Sequence, residues 1–310
     1  SIVVVCVHDS ESFDMALNLY EASLMPNGIL NHLFVTNSME MYGIFQALGI
    51  RSYLFSKSNH HSRINMTEDW LKLKYTFKVH VVVEILKLGF SVMYTGLNIY
   101  MMQNPFIVYT CEVCDIVALS DTPGISTDLY FAKPSSAAIE LHERVLGASR
   151  LEPKPIIGPI MQKTMKQMKL EGKLRYDLIS HFKIPSGAIY FEIGARIFAG
   201  DKACKICVAV RNDWITGNAA RIYRFKENLQ WMVDDNSYYS DPKRKYLMYN
   251  NSNWFGNLTN HHEVTAFKAA LSISHLLKRT LIAPTFHCQG CRFKVCRIYA
   301  KHCSLNAHFR

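Results

Sequence analysis

Through its first 120 residues the chain alternates short apolar runs with longer amphipathic segments, and that alternation constrains its fold more than any other feature. Ile2–Val7 reads as a strand and Glu11–Ser23 as a helix. His32–Val35 is a second strand, Ser38–Leu48 a second helix and Ser52–Phe55 a third strand. A long helix starts near Thr67, where Glu68 and Asp69 complement the helix dipole. It ends at Gly89, a residue suited to a left-handed C-cap. Ser91–Tyr94 and Ile116–Leu119 are further strands. Strand and helix in turn is the pattern of a doubly wound α/β sheet. Such sheets receive their ligands beyond the carboxyl ends of the strands. Thr36 and Asn37, Thr95 to Asn98, and Ser120 with Asp121 therefore share one rim.

The second half is less regular. Ser135 or Ser136 caps a helix reaching about Gly147, and Pro153, Pro155 and Pro159 then interrupt the chain. This break separates residues 1–150 from a second half, 151–260, of the same domain. Beyond it Met161, Met165 and Met168 recur at helical spacing while Lys163, Lys166 and Lys169 fall on another arc, an amphipathic helix with a basic side. Residues 261–310 form a last segment: a helix over Glu263–Lys278, the strand-like Thr280–Ala283 and a cysteine-rich tail. Internal repeats and low-complexity tracts are absent.

Hydrophobic residues make up 49% of the chain, enough for a sizeable core and against disorder. No apolar run reaches the roughly 18 to 20 residues that span a bilayer. Ser1 leads straight into the first strand, which implies a cytosolic protein or one whose N-terminal signal or anchor has been removed. Three glycosylation sequons, at Asn65, Asn250 and Asn257, favour removal and a place in the secretory pathway, in the Golgi lumen or outside the cell. Membrane association is then expected only through that removed anchor. The net charge of +10 favours anionic partners. Nine cysteines leave at least one thiol unpaired within the chain, or paired to another chain in an oligomer.

The familiar catalytic and binding signatures are missing. There is no GxxxxGK[ST] or GxGxxG phosphate loop and no Gly-x-Ser-x-Gly nucleophile elbow. His60-His61 and His261-His262 are adjacent pairs whose side chains diverge, so neither pair chelates one ion unaided. Cys111/Cys114, Cys204/Cys207 and Cys288/Cys291 have metal-like spacing but stand too far apart in sequence for a zinc ribbon. In the tail, Cys288, Cys291, Cys296 and Cys303 are candidates for two disulfides, with a local zinc site that includes His287 and His302 as the alternative. Basic residues alternate with aromatics only in Arg221–Lys226 and Arg292–Arg297, too little for a nucleic-acid surface, so none is expected as a partner.

The order of segments resembles the nucleotide-diphospho-sugar transferases, a family that includes plant xylosyl- and arabinosyltransferases. The likeness runs from Ile2 to about Phe286. "FSVMYTGLNIYMMQNPF", residues 90–106, resembles the family strand that carries the Asp-x-Asp pair, and those aspartates fall on Gly96 and Asn98. Asn37 falls where an aspartate usually touches the nucleotide. "STDLYFAK", residues 126–133, resembles an Asn-Thr-Gly-x-x-Tyr stretch and keeps Thr127 and Tyr130. "VRNDWITGNAARIYRFKENLQW", residues 210–231, resembles the late His-Asn-Asn-x-x-x-Gly segment, with Arg211 at the histidine, Asn212 kept, Asp213 at the second asparagine and Gly217 kept. The usual Asp-Asp-Gln has no counterpart near Pro155–Gln162.

The resemblance implies a GT-A-like, Rossmann-like mixed sheet flanked by helices, with the nucleotide sugar on residues 1–150 and the acceptor on 151–260. Mn²⁺ or Mg²⁺ is expected for the family, but a hard cation wants carboxylate oxygens. Gly96 offers none and Asn98 only an amide, so no metal or other cofactor is expected here. Asp121, Asp128 and Asp213 remain as candidate catalytic carboxylates. The expected function is a glycosyltransferase-like protein with a degenerate donor site and a glycan-binding, partner or structural role. The alternative is an active metal-independent transferase, with Arg211 or Lys133 neutralising the diphosphate. The partners implied are a glycan or glycoprotein and, for the active alternative, a nucleotide sugar.

Overall fold

β1 (Ile2–Val7) is apolar at every position because both of its faces are covered. Val4 and Cys6 enter one core layer, and Val3, Val5 and Val7 enter the other. A computed structural model describes residues 1–8, 10–55, 68–121, 124–152, 154–194, 204, 206–233, 243–249 and 260–282. They fall into two compact units, Ser1–Val233 and Asp234–Arg310.

The first unit adds β2 (His32–Thr36), β3 (Ser52–Leu54), β4 (Val92–Thr95), β5 (Ile99–Met101), β6 (Ile116–Asp121), β7 (Gly124–Ala132), β8 (Tyr176–Ile179) and β9 (Ala209–Arg211). Seven of these strands form one sheet in the order β3-β2-β1-β4-β7-β6-β8. β1, β2, β3 and β4 run parallel, as do β6 and β8, and β7 alone is antiparallel to its neighbours β4 and β6. This is the GT-A-like mixed sheet expected from the sequence. A second, two-stranded sheet pairs β5 with β9.

Helices α1 (Phe13–Leu19), α2 (Met39–Ala47), α3 (Glu68–Lys87), α4 (Ser136–Ser149), α5 (Ile157–Leu170) and α6 (Asn218–Glu227) complete the unit. The first helix is shorter than its sequence pattern: a 3₁₀ turn precedes α1 and a π-helical stretch, Tyr20–Leu24, continues it. Ser38 caps α2 by accepting from the Met41 amide, and Ser135 caps α4 by accepting from Ala138. Gly89 is left-handed, φ +85°, two residues past α3. Met161, Met165 and Met168 face the core from α5 while Lys163, Lys166 and Lys169 are exposed, as the helical spacing requires. No helix among the described residues is long and apolar enough to cross a membrane.

The second unit contributes α7 (Asn260–Leu276) and a short parallel pair, β10 (Tyr246–Leu247) with β11 (Thr280–Leu281). The sequons at Asn65, Asn250 and Asn257, the pair His60-His61 and the tail cysteines Cys288, Cys291, Cys296 and Cys303 lie outside the described residues. Among the described residues two disulfides close the Cys-x-x-Cys pairs Cys111–Cys114 and Cys204–Cys207. Cys6 is the free cysteine of the described residues, and burial pushes its thiol up to about 12, which makes it a packing residue.

His142 shows the core's intolerance of charge. It is fully buried on α4; its Nδ1–H donates to the Ala138 carbonyl at 2.7 Å and its Nε2 accepts from the Tyr130 hydroxyl at 3.2 Å. Burial lowers its pKa from 6.5 to about 4. The unfolded chain therefore binds a proton in a pH range where the folded one does not. The stabilisation is complete above about pH 6.5 and is lost as pH falls towards 4. Roughly 2 kcal/mol should be gone by pH 5. Urea unfolding of the wild type and of H142Q at pH 7 and pH 5 checks this, since the variant should lose that share of the pH dependence.

Candidate functional site

The rim at the carboxyl end of the parallel strands is organised by an irregularity in β7. β6 and β7 pair Ala118 with Tyr130 but Leu119 with Ser126, so Thr127, Asp128 and Leu129 bulge out of the β6 ladder. Bulges of this kind re-aim side chains next to sites. The Asp128 carbonyl accepts from the Gly96 amide at 2.6 Å, and its carboxylate accepts from the Asn98 side-chain amide at 3.2 Å. The bulge is thereby tied to the turn after β4, which holds Gly96 and Asn98, the positions at which the sequence resemblance expects an aspartate pair.

The same turn is held from its other side by the β5–β9 pair, in which Ile99 faces Arg211 across the ladder. The Asn212 amide continues it by donating to the Asn98 carbonyl at 2.7 Å. Arg211 is only 1% exposed. Its guanidinium donates twice to Asp121, at 2.9 and 3.1 Å, and reaches Asp213 at 3.2 Å. Burial works against its charge, but the hydrogen bonds it donates to Asp121 and the charges of Asp213, Asp121 and Asp128 outweigh that and raise its pKa. Asp213 is the reverse case: burial raises its pKa although Arg211 and the Gly187 amide pull it down. Arg211 Nε and Asn212 Oδ1 are buried and have no hydrogen-bond partner.

A second cation reaches the bulge from below. Lys78 on α3 donates to the Thr127 hydroxyl at 3.0 Å and to its carbonyl at 3.3 Å, and its ammonium lies 5.3 Å from the centre of the Tyr94 ring. Burial lowers its pKa and nearby Asp128 offsets part of that. Sequence reasoning passed over Lys78. The signal was present, because Lys78 shares its helix face with the buried Val82 and Ile85 at i+4 and i+7.

Of the residues singled out in the sequence, Gly96, Asn98, Asp121, Thr127, Asp128, Arg211, Asn212 and Asp213 are brought together. Asn212 is anchored by donating to the Arg221 carbonyl at 2.7 Å. Gly217, with φ +90°, starts α6, and Asn37 follows β2, separated from β4 by β1. Lys133 lies past the end of the antiparallel strand, where it donates to the Glu112 carbonyl and faces the Tyr109 ring. It is therefore at the opposite rim, away from Arg211.

These donors do not fit a divalent cation. Gly96 has no ligand to offer, and a Cβ there would fall 2.8 Å from Asn98 Oδ1 and 3.4 Å from the Asp128 carbonyl oxygen. Asn98 turns an N–H donor towards Asp128. Both Asp121 oxygens are engaged by Arg211, and Asp213 divides its oxygens between Arg211 and the Gly187 amide. Among the described residues no three His, Cys, Asp or Glu side chains are grouped to hold a metal.

Residues 30–225 match the family model described as nucleotide-diphospho-sugar transferase. No curated protein matches the chain. Similar solved structures include a glycosyltransferase involved in the glycosylation of the major capsid of PBCV-1, at 12% identity and a TM-score of 0.43, covering 73% of this chain and 100% of that one. The apo glycosyltransferase GlyE of Streptococcus pneumoniae TIGR4 follows at 9% identity and 0.47, covering 75% and 60%. Mouse xyloside xylosyltransferase 1, also apo, stands at 10% and 0.41, covering 71% and 98%.

Proposed function

The chain belongs to the nucleotide-diphospho-sugar transferase family, and within it we propose a catalytically silent member of the secretory pathway that keeps the fold for binding a glycan or glycoprotein. One observation carries this reading: the buried Arg211 guanidinium is committed to Asp121 and Asp213 beside a turn that has lost both of its carboxylates. A nucleotide sugar presents a diphosphate, which needs concentrated positive charge both to bind and to leave. At this rim the Arg211 guanidinium is spent on protein carboxylates, Lys78 is spent on Thr127, and Asp128 adds further negative charge nearby. An active metal-independent transferase would need that guanidinium free to meet the diphosphate. The two disulfides support an oxidising compartment.

Calorimetric titration with UDP-sugars, with and without Mn²⁺, tests the proposal. No saturable binding in the micromolar range is expected in either case. Manganese-dependent micromolar binding would overturn the silent reading, and metal-independent binding of that strength would favour the active alternative.

A further inference from the structure

We infer that the outer face of α5 is a docking surface for an acidic glycan, a linear chain carrying carboxylates or sulfate esters. α5 carries Lys163, Lys166 and Lys169 and, alone among α1 to α7, neither Asp nor Glu. The three lysines recur every third residue and form one oblique ridge of the helix. At 1.5 Å per residue that ridge sets three charges within about 9 Å along the axis. All three are exposed. Their charge is not cancelled by the protein. The ion pairs of the described residues include none of them. Glu171, just past the helix, is already held by Arg144 at 2.9 and 3.0 Å, by Lys173 at 3.2 Å and by Gln167 at 3.0 Å. Lys169 lies 4.9 Å from the centre of the Tyr176 ring, a neutral partner that leaves its charge in place.

The chemistry of the ridge selects the partner. A basic helix that docks on a membrane pushes its apolar face into the headgroup boundary. The apolar face of α5, with Met161, Met165 and Met168, is buried in the protein's own core. Apart from Pro159, the outer face adds only Ile156 and Leu170, one at each end, too little to insert. Nucleic-acid surfaces stack bases on aromatics and use the arginine fork, and the ridge has neither. Lysine ammoniums are point charges with rotatable donors, suited to carboxylates or sulfates spaced along a polymer. Asp121, Asp128 and Asp213 at the rim would repel the same polymer, so the docking belongs to α5.

The inference deepens the glycan-binding reading and rests on it only in the class of partner. Its test contains no nucleotide, so its failure and the appearance of UDP-sugar binding are separate results. Heparin is the sulfated probe, polygalacturonate the carboxylated one and dextran the neutral one, each followed by biolayer interferometry. The full wild-type chain should bind at least one acidic probe and not dextran. K163Q/K166Q/K169Q should weaken that binding tenfold or more, since each lysine at an anionic surface contributes about fivefold. K183Q/K245Q/K268Q removes the same net charge from exposed lysines elsewhere. It should stay within about threefold of wild type, because charges beyond about 8 Å are screened at physiological salt. K163R/K166R/K169R keeps the charges and should bind like wild type.

Equal losses in the two glutamine triples overturn the inference, because net charge and not the ridge would then hold the polymer. A wild type that ignores both acidic probes, or binds dextran as well as either, overturns it too. So does an arginine triple as weak as the ridge glutamine triple. Vesicles of phosphatidylcholine with phosphatidylserine, and single-stranded DNA, complete the set. Tighter binding of either than of both acidic glycans, lost in the ridge triple, gives the ridge a different partner and overturns the proposal.

Discussion

Replacing Arg211 by methionine is expected to destabilise the protein by roughly 3–5 kcal/mol, the range for breaking a buried ion pair from one side. Methionine fills much of the same volume, so the loss reports the stranded carboxylates of Asp121 and Asp213 and not a cavity. The pH dependence separates this cause from a packing defect. Burial already holds the Asp213 pKa above its ordinary value with Arg211 present, and removal of the guanidinium raises it further. A carboxyl whose folded pKa is raised contributes stability below its unfolded pKa and loses it as pH rises through the folded value. The deficit of R211M relative to wild type should therefore shrink as pH is lowered from 7 towards 5, with the His142 contribution common to both proteins. Urea unfolding at both pH values checks this; a deficit independent of pH would point to packing alone. In R211M/D121N one stranded charge is also removed, so it should be more stable than R211M at pH 7.

The Gly187→Ala substitution should cost about 3 kcal/mol, the upper part of the usual range for overpacking. A Cβ at Gly187 would lie 2.3 Å from the Asp213 carbonyl oxygen, 3.1 Å from that of Arg211 and 2.7 Å from an Arg224 nitrogen. Two of these three are backbone atoms that cannot step aside by changing a rotamer. Relief requires the loop before Ala188 to move away from β9, which stretches the hydrogen bond from the Gly187 amide to the Asp213 carboxylate. Gly147→Ala is the matched control: it lies within α4, its Cβ would meet nothing within 4 Å, and helix propensity favours alanine. Chemical unfolding of both variants should show G187A strongly destabilised and G147A neutral or more stable. A G187A protein within about 0.5 kcal/mol of wild type, the spread of ordinary surface substitutions, would show that the close approach is not needed.

Much of the fold was legible because its signals are local. Strands β1 to β4 and helices α2 to α5 follow from apolar periodicity, from the serine caps at Ser38 and Ser135 and from the left-handed glycine at 89. β7 was read as a stretch resembling a family motif but not as a strand, because the polar run Ser126-Thr127-Asp128 interrupts the apolar alternation that marks a strand. Thr127, Asp128 and the following Leu129 are where the strand departs from regular pairing with β6. β8 and β9 were missed because they are short and their pairing partners lie far away in sequence, at β6 and β5.

By itself the sequence determined that the first half alternates strand and helix, that the parallel strands share a carboxyl-end rim, and that the turn after β4 holds glycine and asparagine where the resemblance expects aspartates. Those properties depend on residue type and short-range spacing. Only the tertiary structure decided where the rim's charge is balanced. Arg211 and Asp121 are 90 residues apart, and they meet because β5 pairs with β9 in one register while β6 ends beside them. Lys78 reaches Thr127 because α3 packs under the sheet with that face inward. A buried charge must find its partner in three dimensions, and no local propensity encodes which partner that will be.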